Sequence, residues 1–433
     1  MTVSHKPLNQ RSARELAQGI AAGAFTAEQA TEACLARIEA REGAIKAWAH
    51  LDPQAALSRA RALDSGPPRG PLHGVPVGIK DIFDTFDAPT EMGSPIYAGN
   101  RPFADSYAVA ALRAAGAVIL GKTVTAEFAG MHPGPTANPH DPSRTPGGSS
   151  SGSAAAVADF MVPVALGTQT GGSVLRPASF CGVVGFKPQF AAISRAGLKL
   201  AAETLDTVGV LARDVEDAAL IYDVLTGQVP AAPAERATPP AIAFCRTVLW
   251  ERAEPETIRA LEEAREKLGA AGAAVDEIDM PGDFLAVDRE RNIVNAVERA
   301  RTMAHEWHHH RDAISDTLAE TLTEGLATPH EAYLAALETC REARARLPGL
   351  FGAKDALLVP CVPGAAPRGL GFTGDPAFQG FWTALHVPTI TLPTHRTDDG
   401  LPVGIQLVGR PREDAGLLAV ARWTLARLKG SDP

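Results

Sequence analysis

Two short runs of the 433-residue chain set paired glycines before a serine: Gly147-Gly148-Ser149 and Gly171-Gly172-Ser173. A serine hydroxyl is almost wholly protonated near neutral pH, so a serine that acts as a nucleophile needs a base beside it. Glycine pairs suit the same task. They let backbone approach a substrate closely, and they let successive N–H groups point one way to form a nest for an oxyanion. The first run lies in Gly-Gly-Ser-Ser-Ser-Gly-Ser (147–153), a composition that would also suit a flexible linker. Its context argues against a linker, because apolar, strand-compatible segments follow at 160–166 and 183–186.

Histidine is the usual base, but His73, His132 and His140 each sit in a Pro- or Gly-flanked, turn-like setting that predicts a surface loop. Lys80 lies within the apolar run Val-Pro-Val-Gly-Ile-Lys-Asp-Ile-Phe (75–83), where burial would lower its pKa. Period-two alternation puts Lys80 and Asp81 on opposite faces, so Asp81 need not neutralise it. The residues alone leave two readings, a base or a structural lysine. Cys181, between Phe180 and Gly182, reads as core packing rather than a nucleophile, and Phe378, Phe381 and Trp382 read as core or pocket lining.

Two further motifs fit better as structure. Gly116 to Thr123 matches G-x-x-x-x-G-K-[ST], yet its middle residues Ala-Val-Ile-Leu predict a buried strand and a helix-like stretch precedes it, the reverse of a phosphate loop. His305-Glu-Trp-His-His309 matches H-E-x-x-H in a helical setting, which keeps a zinc hydrolase as a rival of another class. The neighbouring His308 and His310 suit a surface cluster, and no clear third ligand follows.

The positioning elements are read from periodicity. Thr26 and Gln29 predict a capping box opening a helix with Ala30, Cys34 and Ile38 on one face. Helices are expected over 109–115, from 154, from Pro255 to Gly269, across most of 285–347 and over 414–428. Strands are expected at 75–82, 117–120, 241–244, 273–278, 356–360, 388–393 and 403–409. Strands alternating with helices predict an α/β protein with a mixed sheet, and a Pro/Ala-rich connector falls at 230–240. Fifty acidic against 41 basic residues give a net charge of −9 with no basic block, which argues against nucleic acid as a partner. No apolar run reaches the ~18 residues a membrane span needs, and the start lacks the apolar stretch of a signal peptide. Five scattered cysteines without a CxxC pair predict neither a disulfide framework nor a thiolate zinc site, and suit a reducing cytoplasm.

These segments, with GVPVGIKD (74–81), GAVILGKT (116–123), SFCGVVGFKP (179–188), LDTVG (205–209) and LPVGIQLVGR (401–410), closely resemble the amidase signature family, hydrolases with a Ser–cisSer–Lys triad. The form QTGGSVLRPA (169–178) and the total length are most similar to bacterial malonamidase-like members. The resemblance implies a large twisted mixed β-sheet covered on both faces by α-helices. It implies a single domain over 1–433, with a signature core at about 70–230 and 240–433 completing the same sheet.

Residue by residue, the resemblance implies Ser173 as the acyl-accepting nucleophile. Ser149 would be the bridging serine behind a cis peptide from Gly148, and Lys80 the neutral base. The N–H groups of Thr170, Gly171, Gly172 and Ser173 would form the oxyanion hole. Ser150 is expected to steady Lys80 or Ser149, or the loop alone, and is carried as a candidate substrate contact. Arg176 is displaced from the family's usual GGSIR place by Val174 and Leu175. It would either clamp a substrate carboxylate or pair with a structural group. The implied reaction converts a small amide, such as malonamate, to carboxylate plus ammonia or amine, with no metal and no cofactor. Carbamates and aryl amides stay open, as does a non-catalytic binding protein on the same fold. Membership of a tRNA-dependent amidotransferase complex is a further alternative. Otherwise the expected partner is the substrate and the expected assembly a homodimer. Substrate-facing loops are expected beyond residue 285.

Overall fold

Neighbouring side chains of a strand point to opposite faces, and here both faces are apolar and buried. The chain is seen in a computed structural model that describes residues 6–230, 236 and 238–429. Its strands are β1 (Trp48–Leu51), β2 (Pro76–Lys80), β3 (Val118–Thr123), β4 (Val164–Gln169), β5 (Val184–Lys187), β6 (Thr207–Ala212), β7 (Ala241–Arg246), β8 (Ala274–Asp279), β9 (Ala356–Pro360), β10 (Thr389–Arg396) and β11 (Pro402–Gly409). They form one sheet in the order β1-β3-β2-β4-β6-β5-β10-β11-β9-β7-β8. β2 runs parallel to β3 and β4, and β7 parallel to β8 and β9, while the remaining pairs are antiparallel. The sheet is therefore mixed, as expected, and strands from both sides of the 230–240 connector belong to it. The connector itself falls largely outside the described residues.

On one face, Ile79, Leu166, Phe244 and Leu358 share a continuous core. Helices Tyr107–Ala114, Val215–Leu225, Pro255–Ala270 and Asp414–Leu428 cover it. On the other, Leu120, Ala165 and Leu211 pack beneath helices Ala27–Ile45 and Ser151–Ala158. Ala243, Leu357 and Val359 pack beneath His330–Phe351 and Ala377–Ala384. The expected capping box at Thr26 and Gln29 opens its helix.

Phosphate-loop geometry is absent from the Gly116–Thr123 match, where Gly121, Lys122 and Thr123 extend the expected strand to the end of β3. Lys122 is fully buried and forms an ion pair with Asp81 at 3.0 Å. Its ammonium also donates to the carbonyls of Phe83 and Pro89 and to Thr90 Oγ1. Asp81 thus points away from Lys80 and serves its neighbour on β3. Two oppositely charged groups buried together depend on each other, because removing one leaves the other without compensation. Asp81→Ala should cost about 3–5 kcal/mol of stability, seen as a lower urea midpoint at unchanged slope. An unchanged midpoint would mean that the pair carries no such load.

Candidate active site

β2 ends on Lys80, and the alternation that buries Ile79 on one face turns Lys80 to the face of helix Ser151–Ala158. Its Nζ lies 2.8 Å from Ser149 Oγ, 2.8 Å from Thr168 Oγ1 and 3.4 Å from the Thr168 carbonyl. The side chain is wholly buried, and desolvation lowers its pKa to about 7. Asp206 pulls that value back up, while Arg299 and Arg176 push it further down. Ser149 is fully buried too, its carbonyl accepts the Ala126 N–H at 3.0 Å, and the Gly148–Ser149 peptide is cis. Gly148 has no room for a side chain, since a Cβ there would lie 2.8 Å from Thr373 Cγ2.

Ser173 follows β4, in the turn before helix Leu175–Cys181. The turn is shaped by Gln169, whose Oε1 accepts the N–H groups of Val174 and Leu175 at 2.9 and 3.1 Å. Thr383 Oγ1 donates to the Gly171 carbonyl, and the Ser150 N–H to the Ser173 carbonyl at 3.2 Å, which ties the two Gly-Gly-Ser runs together. A Cβ on Gly172 would meet Gln379 Oε1 at 2.4 Å, so only glycine fits that contact. Among the described residues no acceptor meets the N–H groups of Gly171, Gly172 or Ser173. All three residues line a cavity of about 190 Å³.

That cavity also takes in Arg176, Arg291, Asn295, Arg299 and Thr321, and among the described residues no aspartate or glutamate lines it. Arg176 is 1 % exposed. One of its nitrogens, Nη2, donates to the Gly148 carbonyl at 2.7 Å and to Thr373 Oγ1 at 3.2 Å, while Nε and Nη1 have no partner. Helices Leu285–Thr302 and Asp316–Ala327 provide the far wall, so helices rather than the expected loops face the cavity from beyond residue 285.

The structure brings Lys80 and Ser149 into contact and places Ser173, Thr170, Gly171, Gly172 and Arg176 around one cavity. Ser150 is not among its lining. Ser150 is wholly buried, and its hydroxyl meets the Thr168 backbone at 3.4 Å rather than Lys80 or Ser149. His73, expected on the surface, is buried and its Nδ1 accepts the Arg69 N–H. In the H-E-x-x-H match the glutamate turns inward. Glu306 is buried and accepts from Lys199 and Tyr97, while His305 and His309 are exposed. Cys181, Phe378, Phe381 and Trp382 are core.

Thr168 and Asp206 carry no motif and were not predicted as site residues. Asp206 accepts from Thr170 Oγ1 and the Ala201 N–H, which fixes the start of the serine turn. The only sequence signal for Asp206 was the LDTVG segment; for Thr168 it was its place on the strand leading into Gly171-Gly172-Ser173.

A mixed sheet that holds a buried lysine against the first of two Gly-Gly-Ser runs is the architecture of the amidase signature class. A profile of the amidase family matches residues 29–418, and the chain belongs to that family, as a hydrolase of amide C–N bonds. It is 36 % identical over 455 residues to the amidase-type component of the glutamyl-tRNA(Gln) amidotransferase of Chloroflexus aggregans, covering 93 % of each chain. Among solved structures it resembles an amidase (TM-score 0.88, 34 % identity, 96 % of this chain and 100 % of that one). It also resembles the peptide amidase of Stenotrophomonas maltophilia (TM-score 0.84, 29 % identity, 98 % of each chain).

Thr168→Val removes one of the two hydroxyls that meet Lys80 at nearly constant volume. It should lower kcat/KM for any amide substrate by about tenfold, the worth of one such buried hydrogen bond, with little change in KM. Unchanged kinetics would reduce Thr168 to a packing residue.

Proposed function

We propose that the chain hydrolyses a small amide bearing a carboxylate, of the malonamate kind, through Ser173, Ser149 and Lys80. In this reading Lys80, neutral at its lowered pKa, takes the proton of Ser149 as Ser149 takes that of Ser173. Ser173 Oγ attacks the amide carbonyl, and the unengaged N–H groups of Gly171, Gly172 and Ser173, with that of Thr170, receive the oxyanion. Each such donor is worth roughly 3–4 kcal/mol in the transition state. The relay returns the proton to the leaving nitrogen, the C–N bond breaks, and water hydrolyses the acyl-enzyme.

The observation that carries the substrate reading is Arg176, with two buried guanidinium nitrogens unpartnered in the cavity that Ser173 lines. A buried donor left unmade costs free energy that a bound carboxylate recovers. The volume of about 190 Å³ lies below the ~300–1,000 Å³ of sites for drug-sized ligands, which favours a small aliphatic amide over an aryl amide.

The named relatives favour a second reading, release of ammonia from glutamine within an amidotransferase complex. Glutamine also carries a carboxylate, but beside an α-ammonium. A cavity lined by arginines and no acid offers that ammonium no counter-ion, so the malonamate-like reading is preferred. We further take the chain to act as one domain in the cytoplasm, in keeping with five free, buried cysteines.

Ammonia release from malonamate, glutamine, acetamide and an aryl amide tests this. Ser173→Ala should lose at least about a thousandfold in kcat, EDTA should change nothing, and Arg176→Gln should raise KM for malonamate by tenfold or more while sparing acetamide. Chelator-sensitive activity that survives Ser173→Ala, or a preference for glutamine, would overturn the proposal. Because the base must be neutral, kcat/KM should climb tenfold per pH unit up to about pH 7 and then level. A pH-independent rate between 5 and 7 would exclude Lys80 as that base.

A further inference from the structure

The cavity holds three guanidinium groups, and they are not equivalent. Arg291 is neutralised on its own helix, bonded to Asp288 at 2.9–3.0 Å. Arg176 and Arg299 are not neutralised. Both are buried, 1 % and 5 % exposed, and among the described residues neither has a carboxylate within ion-pair distance. Arg299 Nη1 donates to the Phe128 carbonyl at 3.1 Å, just as Arg176 donates to that of Gly148. One bond to backbone fixes each group and leaves the rest of its donor fork uncommitted.

The acids that act on Arg299 are Asp206 and Glu127, and both are engaged elsewhere. Asp206 accepts from Thr170 Oγ1 and the Ala201 N–H, and Glu127 from the N–H and hydroxyl of Ser315. The two free guanidiniums come from different walls, Arg176 from helix Leu175–Cys181 beside Ser173 and Arg299 from helix Leu285–Thr302. In about 190 Å³ a small ligand meets both walls at once.

A monocarboxylate can neutralise only one of them. We infer that Arg299 is a second anion-recognising residue, and that the cavity binds short dicarboxylate dianions through Arg176 and Arg299 together. The inference rests on Arg176 as the carboxylate-holding residue. It bears directly on the reaction. Hydrolysis replaces the neutral amide of a monoamide by a second carboxylate and releases the nitrogen as ammonia, so the organic product carries one more negative charge than the substrate. The product is then held more tightly than the substrate and competes with it.

Binding can be separated from turnover by titrating the full-length Ser173→Ala protein calorimetrically at pH 8 with malonate, malonamate and acetate. Malonate should bind at least about tenfold more tightly than malonamate, the worth of one charge-assisted pair. Arg299→Gln should erase that difference while leaving malonamate affinity within a few-fold. Asn295→Asp serves if Arg299→Gln does not fold. It places a carboxylate one helical turn before Arg299 on the same cavity wall and should weaken malonate selectively. Equal affinities for malonate and malonamate, or a preference that survives both variants, would overturn the inference. Failure of malonamate and acetate to respond to Arg176→Gln would instead overturn the reading of Arg176. Loss of hydrolysis alone touches neither.

Discussion

A lysine ammonium strands poorly in a dry interior, and the site is organised around that cost. Lys80 sits at the end of a strand buried on both faces, with hydroxyls and a carbonyl but no carboxylate beside its nitrogen. Moving its pKa from 10.5 to about 7 transfers roughly 5 kcal/mol of preference from the charged to the neutral form. The sheet holds two other buried lysines that show what the partners decide. Lys122 keeps a carboxylate at 3.0 Å and serves as half of a structural pair. Lys187 is also lowered to about 7, but it meets only the carbonyls of Pro188 and Val387, which have no proton to give. Lys80 alone of the three combines a lowered pKa with a serine hydroxyl that leads toward the cavity.

The same electrostatics shape the cavity. Arg176 and Arg299 are buried without a counter-ion, and both press Lys80 toward neutrality. An anionic ligand would relieve that positive field while filling the unmade donors of Arg176. Base, nucleophile turn and arginines thus form one charge system, in which the missing negative charge is the one a substrate would bring.

Much of this was legible from residue types and spacing. The apolar run around Lys80 carries its burial, alternation separates it from Asp81, and strand-forming residues betray the phosphate-loop match at 116–123 as β3. Helix ends were read where caps are local, as at Thr26 and Gln29. What was not legible depends on contacts between distant segments. Thr168 reaches Lys80 across 88 positions, and Arg299 joins Arg176 only because helix Leu285–Thr302 packs over the serine turn. His73 was misread because a Pro/Gly-flanked setting signals a turn and says nothing of what packs on it. Glu306 shows the reverse case, a motif residue whose side chain is taken up by Lys199 and Tyr97.

The central claim is that Ser173 is the nucleophile and that Lys80 activates it through Ser149. Reaction with methanesulfonyl fluoride, followed by peptide mass mapping across pH 5–9, tests it directly, because sulfonylation requires an activated oxygen and a cavity this small admits the reagent. The account predicts a single adduct on Ser173, forming at a rate that follows one ionisation near pH 7 and is lost in Lys80→Ala and Ser149→Ala. An adduct on another residue, or labelling of Ser173 at an undiminished rate without Lys80, would contradict it.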